Sequence, residues 1–295
     1  MVLDLEDVGF STDDQSVVLR NLLRPHGMIL VTGPTGSGKT TTLYAMLARL
    51  GYERQSLVNI STIEDPIERP LPRVTQVTVN PAAGVDFAAG LRALLRQDPD
   101  IIMVGEIRDL HTAEIAVRAA LVGRLLLSTL HTNDATSAPT RLLDMGVEPY
   151  LLASTLSLVV AQRLARRVCH ACRESVAPEP AVLDALCLRG DFEESVRLLR
   201  ARGVIASDDD RLAGVRLFRG RGCIRCDGTG FWGRFGIFEI LEIDDELRRV
   251  VMERRDAASV RRLARAASMK TMFQDPLAKA ILGETTIDEV LRVTA

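Results

Sequence analysis

The fold is decided by the stretch Gly33-Pro34-Thr35-Gly36-Ser37-Gly38-Lys39-Thr40, which matches the phosphate-loop pattern G-x-x-x-x-G-K-[ST] at every fixed position. It follows the apolar residues 28–32 and precedes the helix-forming residues 41–48. A strand, a glycine-rich loop and a helix in this order point backbone N–H groups and the positive end of a helix dipole at a phosphate. The context therefore favours a nucleoside-triphosphate site over the alternative of a glycine-rich turn that contains Lys-Thr.

The loop residues take separate roles in this prediction. Lys39 is expected to reach the β- and γ-phosphates, and the Thr40 hydroxyl is expected to bind Mg²⁺. The residues predicted to contact ATP are Gly33, Pro34, Thr35, Gly36, Ser37, Gly38, Lys39, Thr40, Thr41 and Asp65.

Composition limits the classes of function. Charged residues make up 26% of the 295 residues and the formal net charge is −2, so no general attraction to nucleic acid or acidic lipid is expected. Aromatic residues are 4%, which argues against a platform that stacks nucleic-acid bases. The longest uncharged apolar stretch, residues 150–162, is shorter than the roughly 20 residues of a membrane-spanning helix and is predicted as a buried helix. Residues 1–20 are too acidic for a secretory signal, which favours the cytoplasm.

Apolar, β-prone stretches alternate with helical ones from residue 28 onward, which is typical of a doubly wound α/β fold with a mainly parallel sheet. The predicted strands are 28–32, 57–63, 100–105 and 125–129. Chemically active residues follow each one: the phosphate loop, then Glu64-Asp65, then Glu106, then His131. Ligands bind at the carboxyl ends of parallel strands, so the four segments are expected to meet in one crevice.

Glu106 follows the predicted strand that contains the four apolar residues 101–104, and we predict that it activates or orients the attacking water. The alternative is that Glu106 caps the helix that begins near Asp109 or Thr112. Glu64 and Asp65 supply carboxylate oxygens of the kind that Mg²⁺ prefers, although an acidic, solvated turn would have the same composition.

His131 follows the fourth predicted strand, and we predict that it senses the γ-phosphate and passes that state to the next helix. The alternative is a structural or solvent-facing histidine.

The cysteines form two C-x-x-C pairs, Cys169 with Cys172 and Cys223 with Cys226, and leave Cys187 over. Two such pairs are the usual way to build a tetrahedral zinc site, because each short spacing places two thiolates on one side of the metal. Structural zinc is therefore favoured over unligated thiols, and Cys187 is predicted to be a small core residue.

Arginines cluster around these pairs. They would suit a nucleic-acid surface or a contact between subunits, but a solvated face balanced by acidic neighbours explains them equally well. The members are Arg163, Arg166, Arg167, Arg173, Arg216, Arg219, Arg221 and Arg225.

Three domains are predicted: residues 1–167 as a RecA-like ATPase core, 168–235 as a tetracysteine metal-binding subdomain, and 236–295 as a helical region. The helical predictions are 112–122, a helix from Pro149, a piece near 184–202, and then 245–254, 257–267, 276–282 and a last helix after Thr286.

Taken together, these motifs resemble the secretion ATPase superfamily, and within it the type II secretion and type IV pilus assembly ATPases. The resemblance covers nearly the whole chain. Its elements are residues 33–42 as Walker A, 63–68 as the aspartate box, 95–109 as an atypical Walker B, 128–135 as the histidine box, 161–164 before the first cysteine pair, and 222–239 around the second.

The resemblance implies a hexameric ring that hydrolyses ATP and moves an inner-membrane platform protein to push a pseudopilus or pilus. It also implies a cytoplasmic anchor protein, membrane association only through partners, and no direct nucleic-acid contact. The tetracysteine element indicates the assembly type, because retraction motors resemble the core but lack that insert.

Two departures from the family pattern stand out. Arg124 occupies the place of a second histidine, so no histidine role is expected there. Fuller members of the family also have an N-terminal domain that contributes arginines to the nucleotide site, and only 32 residues precede Gly33. We therefore expect a shortened form that binds nucleotide but hydrolyses it slowly and assembles poorly.

Three functional hypotheses follow from the sequence. The first is an ATP-driven motor of type II secretion or of its pilus assembly counterpart, with Lys39, Thr40, Glu64, Glu106 and His131 in the site. The second is a nucleic-acid motor or zinc-bearing binder, whose ATPase activity would rise with DNA or RNA and fall steeply with salt. The third is a switch that binds ATP without useful hydrolysis.

Overall fold

The computed structural model describes residues 4–55, 57–206, 212 and 214–294. The strands within these residues are β1 Gly27–Thr32, β2 Ile60–Glu64, β3 Val74–Thr78, β4 Ile101–Val104, β5 Leu125–Leu130, β6 Leu156–Val168, β7 Arg173–Val176, β8 Leu217–Gly220 and β9 Phe231–Glu242. The helices of the first half are α1 Leu5–Val8, α2 Thr12–Leu22, α3 Lys39–Glu53, α4 Phe87–Leu95, α5 Leu110–Leu121, α6 Ser137–Asp144 and α7 Pro149–Thr155. Those of the second half are α8 Pro180–Cys187, α9 Phe192–Ala201, α10 Asp245–Met252, α11 Ala257–Ala266, α12 Gln274–Ile281 and α13 Ile287–Thr294.

The central sheet has seven strands in the order β3-β2-β4-β5-β1-β6-β9. The five pairings from β3 to β6 are parallel. The last pairing joins the Ile243 N–H to the Ser157 carbonyl at one end and the Cys169 N–H to the Gly230 carbonyl at the other, which is an antiparallel register. The prediction of a mainly parallel α/β sheet is therefore confirmed.

Strand β1 lies between β5 and β6, and all six of its residues are buried. Its apolar side chains explain this position, because a central parallel strand is covered by helices on both faces and has no polar face. The four strands predicted from the sequence correspond to β1, β2, β4 and β5, with β2 beginning three residues later than predicted.

The buried helix predicted over residues 150–162 is wrong from Leu156 onward. Helix α7 ends at Thr155, and β6 begins at the next residue. Leu158, Val159 and Val160 pair with residues 29–31 of β1. β-Branched side chains pack well in a pleated strand, and β1 offered an unpaired edge, so long-range pairing outweighed the local apolar pattern.

The chain divides into two compact units. One consists of Met1–Gln162 and Phe238–Met269, and the other of Arg163–Ile237 and Lys270–Ala295. The predicted boundaries were 1–167, 168–235 and 236–295, so this division assigns α10 and α11 to the unit that carries the phosphate loop.

Each unit has its own core. In the first, α3 packs with β1, β4 and β5 through residues such as Met46, Ile29 and Leu127. In the second, α8, α9, α12 and α13 form a separate apolar cluster that includes Phe273. Within the part of the chain that the structure describes, no helix combines the length and the apolar character needed to cross a bilayer.

Candidate nucleotide and metal sites

The phosphate loop is pressed against strand β6. Gly33 has φ +148°, and a Cβ at this residue would lie 2.3 Å from the Gln162 carbonyl oxygen and 2.7 Å from Ser37 Oγ. Only glycine fits such a conformation and such a contact. Ser37 is buried, and its hydroxyl is among the buried polar atoms that lack a hydrogen-bond partner in the described structure. Gly36 and Gly38 also have positive φ, so the loop is built by its glycines.

Lys39 folds back over this loop. Its Nζ donates to the carbonyls of Gly33 at 2.9 Å and Pro34 at 3.1 Å. Burial lowers the pKa of Lys39, and the negative charge of Glu106 opposes that effect. Glu106 is therefore close enough to Lys39 for the two charges to interact.

The amino end of α3 is open. Gly38 is its N-cap residue with φ 85°, and among the described residues no side chain caps the helix. The first N–H groups of a helix lack partners within it, so this end offers donors and a positive dipole to an anion. Thr40 is half-buried in the first turn, whereas Thr41 is exposed.

Glu106 lies just beyond the carboxyl end of β4. Thr129 on β5 holds the backbone on both sides of it, because its hydroxyl donates to the Gly105 carbonyl at 2.7 Å and its carbonyl accepts from the Ile107 N–H at 3.0 Å. The side chain of Glu106 is 13% exposed. Asp109 caps α5 through the Thr112 N–H at 2.8 Å, so capping of that helix does not explain Glu106.

Two cationic or ionisable side chains contact Glu106. Arg108 Nη2 lies 2.5 Å from its Oε1, and His131 Nε2 lies 3.4 Å from its Oε2. The structure thus brings Lys39, Glu106 and His131 to one edge of the sheet. Neither Arg108 nor the buried Gln162 was singled out as a site residue from the sequence. Arg108 reaches Glu106 through the conformation of the loop after β4, and Gln162 contacts Gly33 and Thr42, which are distant along the chain.

Glu64 is placed differently. It ends β2 and is buried, and its carboxylate accepts hydrogen bonds from the hydroxyls of Tyr44 and Thr62 and from Gln76 Nε2. Burial and the hydrogen bond to Glu64 raise the pKa of Tyr44 to about 12. The adjacent Asp65 is exposed. Glu64 is thus bound by three uncharged donors.

Arg124 lies at the opposite edge of the sheet. It precedes the first residue of β5, whereas the phosphate loop and His131 follow the last residues of parallel strands β1 and β5. Its Nη2 pairs with Asp98 Oδ1 at 2.6 Å. Arg124 is therefore at the other end of β5 from His131 and makes a surface ion pair.

The four paired cysteines form one cluster. Sγ atoms are 3.9 Å apart for Cys169 with Cys223 and for Cys172 with Cys226, and 3.7 Å apart for Cys223 with Cys226. Sulfurs bound tetrahedrally to zinc at about 2.3 Å are separated by about 3.8 Å. These distances exceed the roughly 2.05 Å of a disulfide, so the thiols are free and are arranged for a four-coordinate metal.

Backbone groups prepare one thiol of this cluster for a metal. Burial opposes ionisation of Cys226, but its Sγ accepts from the N–H groups of Cys223 at 3.2 Å and Gly230 at 3.3 Å, and its pKa falls to about 6. A thiolate is the form that binds metal. Cys187 is exposed, so its prediction as a core residue is wrong: it ends α8, and the neighbouring Leu186 takes the buried position.

The parallel sheet with its phosphate loop at the carboxyl edge defines a P-loop nucleotide-binding fold. Comparison with known proteins identifies the family. The model of the type II/IV secretion system protein family matches residues 1–292, and the chain belongs to that family.

The curated relatives are proteins of type II secretion systems and of type IV pilus assembly. The chain is 50% identical over 277 residues to the type II secretion system protein HxcR of Pseudomonas aeruginosa, covering 94% of this chain and 50% of that protein. It is 46% identical over 295 residues to the type II secretion system protein E of Xanthomonas campestris, covering 100% and 48%. It is 45% identical over 291 residues to the type IV pilus assembly ATPase PilB of Thermus thermophilus, covering 99% and 30%. The chain thus spans about half the length, or less, of these relatives.

Solved structures agree on the fold. The pilus retraction motor PilT with bound ADP matches with a TM-score of 0.67 and 26% identity, covering 99% of this chain and 67% of that one. The ATPase DotB of Legionella pneumophila matches with a TM-score of 0.64 at 20% identity, covering 99% and 65%.

Proposed function

We propose that this chain is the ATP-hydrolysing unit of a type II secretion motor, in which turnover drives assembly of a pseudopilus and export of protein. The observation that supports the proposal is that Glu106, at the carboxyl edge of the sheet, lies 3.4 Å from His131 and close enough to Lys39 for its charge to oppose the lowering of that lysine's pKa by burial. A carboxylate and an imidazole beside a phosphate loop are suited to orient a water toward a γ-phosphate. Family membership and the names of the relatives support the same conclusion.

Each group has one role in this mechanism. The N–H groups of the loop and of α3 hold the phosphates, and Lys39 leaves its loop carbonyls to neutralise their charge. Thr40 would hold Mg²⁺, which would supply charge stabilisation, and Asp65 would add an outer contact. Glu106 orients the water and His131 responds to the γ-phosphate. Glu64 accepts hydrogen bonds from three uncharged donors and acts from a buried position at the same edge of the sheet.

The test separates binding from turnover. Lys39→Ala should weaken ATP binding at least about tenfold, because the loop loses its only side-chain cation. Glu106→Gln should bind ATP within about twofold of the parent and lower phosphate release by about a hundredfold. The matched control is Glu148→Gln, an exposed carboxylate at the start of α7. If Glu106→Gln and Glu148→Gln release phosphate equally fast, Glu106 does not act on the water.

The same assay addresses the remaining alternatives. Stimulation by DNA or RNA that falls steeply with salt would favour a nucleic-acid motor. Tight ATP binding by the parent without phosphate release would favour a switch.

Type IV pilus assembly is the second candidate, because the identity to PilB, 45%, is close to that of the secretion relatives. Complementation decides between them: the gene would restore either secretion of an exoprotein or surface pili in a host that lacks its own ATPase. Restored pili without secretion would overturn the secretion assignment.

Zinc is the metal that we propose for Cys169, Cys172, Cys223 and Cys226, on the sulfur spacing described above. Held by four thiolates it would have no open position, so its role would be structural. Elemental analysis of the purified chain should give about one zinc per chain.

We further propose that the protein works as a homo-oligomer, expected to be a hexamer, on the cytoplasmic side of the inner membrane. A platform protein and an anchor protein of the secretion machine would be its partners. Light scattering with and without ATP measures the oligomer, and a monomer under both conditions at high concentration would argue against a ring formed by this chain alone.

A further inference from the structure

The loop that carries His131 is held by other parts of the chain. We call residues 131–136 the histidine loop. Its first anchor is Thr32 at the end of β1. The Thr32 hydroxyl is hydrogen-bonded to the Thr132 hydroxyl at 2.7 Å and accepts from the Thr132 N–H at 2.8 Å. This anchor ties the loop to the strand that precedes the phosphate loop.

The second anchor comes from β9. Glu239 is 7% exposed, and its Oε1 accepts from the Ala135 N–H at 2.9 Å. A charged acceptor makes a stronger hydrogen bond than a neutral one, and burial removes competition from water. The backbone of the histidine loop is therefore fixed at Ala135 by a residue more than one hundred positions away.

The third anchor comes from α11. Arg261 Nη2 donates to Asp134 Oδ2 at 2.8 Å. The other oxygen of Asp134 accepts from the Ser137 N–H and the Thr136 hydroxyl, both at 2.8 Å, and so joins the loop to the first turn of α6. Arg261 thus holds a carboxylate that already organises the loop.

The imidazole of His131 has little support of its own. Its side chain is 49% exposed and lies 3.4 Å from Glu106. Its position is consequently set by the backbone that carries it, and that backbone is held by Thr32, Glu239 and Arg261.

We infer that Glu239 and Arg261 are positioning residues that keep His131 beside Glu106. The inference extends the proposed function, because it assigns to β9 and α11 a part in the nucleotide site that the family motifs place elsewhere. Loss of either anchor lets the histidine loop shift, and misplacement of about 1 Å is enough to lower a rate by up to about a hundredfold.

The first test observes His131 directly. The chain has four histidines, so the ring resonances of selectively labelled protein are few, and His131→Asn identifies the one that belongs to residue 131. Glu239→Ala and Arg261→Ala should each move that resonance. Glu239→Gln should largely restore it, because the amide oxygen still accepts the Ala135 N–H. Arg262→Ala, an exposed neighbour on the same helix, is the matched control and should leave it in place.

The second test measures ATP turnover and ATP affinity of the same variants. Glu239→Ala and Arg261→Ala should lower turnover about tenfold or more, while ATP affinity stays within about twofold. Arg261 is exposed, so its variant folds even if Glu239→Ala does not.

The two tests fail independently. An unmoved His131 resonance in Arg261→Ala and in a folded Glu239 variant overturns the inference, whatever the turnover. A resonance that moves while turnover is unchanged supports the positioning role and contradicts the part that the proposed function gives to His131.

Discussion

The replacement of Glu289 by glutamine tests how the second unit is held together. Glu289 on α13 is fully buried, and its carboxylate receives hydrogen bonds from the backbone and guanidinium of Arg166 and from the guanidinium of Arg292 at 2.6–2.9 Å. A glutamine of the same shape keeps the volume but has one acceptor oxygen and no charge.

The pKa of Glu289 gives the magnitude. Burial alone would raise this pKa, but the hydrogen bonds from Arg292 and Arg166 and the charge of Arg166 lower it from 4.5 to about 2. A shift of this size corresponds to about 3 kcal/mol. Because both arginines are half exposed and regain water when the carboxylate is lost, we expect Glu289→Gln to lower the free energy of unfolding by about 2 kcal/mol at neutral pH.

The sign of the pH dependence follows from the lowered pKa. The stabilisation is complete above pH 4.5, where Glu289 is ionised in both the folded and the unfolded chain, and it is lost as the pH falls toward 2. The difference in unfolding free energy between the parent and Glu289→Gln should therefore be constant from pH 7 to 5 and close between pH 4.5 and 2.

Urea unfolding followed by tryptophan fluorescence measures this difference, because the one tryptophan of the chain, Trp232, belongs to the same unit. Glu284→Gln is the control, since its 3.4 Å ion pair with Arg167 is partly exposed and should contribute less than about 1 kcal/mol. Equal effects of Glu289→Gln and Glu284→Gln at pH 7, or a difference that persists at pH 2, would refute the reasoning.

Three further outcomes are expected. Gly33→Ala should lower the affinity for a fluorescent ATP analogue more than about tenfold, because its Cβ would meet the Gln162 carbonyl at 2.3 Å, and wild-type affinity would contradict that packing. Thr42→Val removes the 2.7 Å hydrogen bond to Gln162 Oε1 and should lower the free energy of urea unfolding by about 1–2 kcal/mol, whereas Thr42→Ser should not. Cys172→Ser should abolish stoichiometric zinc and lower the melting temperature, and Cys187→Ser should do neither; retained zinc in the first variant would exclude a four-thiolate site.

The sequence predicted those parts of the fold that depend on local pattern. Strand β1 and helix α3 flank a loop whose glycine spacing has one structural meaning, so β1 and the start of α3 were predicted within two residues, whereas α3 continues five residues beyond its predicted end. Strands β4 and β5 were equally clear, because a short apolar stretch followed by a polar cluster is typical of a buried parallel strand.

Long-range pairing limited the prediction elsewhere. Residues 156–162 carry an apolar pattern that suits either a helix or a buried strand. They form a strand because they pair with β1, which is next to them in the sheet. Strand β3 has alternating, partly exposed residues at the edge of the sheet and gave no strong pattern. The burial of Glu64 likewise depends on Tyr44 and Gln76, neither of which lies next to it in the sequence.

The same distinction applies to the candidate site. Residues that face a phosphate come from strand ends, and strand ends can be read from the sequence, so Lys39, Glu106 and His131 were predicted to meet and lie on one edge of the sheet. Residues that hold those side chains in place are set by tertiary contacts, so Glu239 and Arg261 carried no local signal. The residues that face the phosphates at a site of this type can therefore be recognised from the sequence, whereas the residues that position them cannot. Variants of the positioning residues are the ones that can change turnover without changing the affinity for ATP.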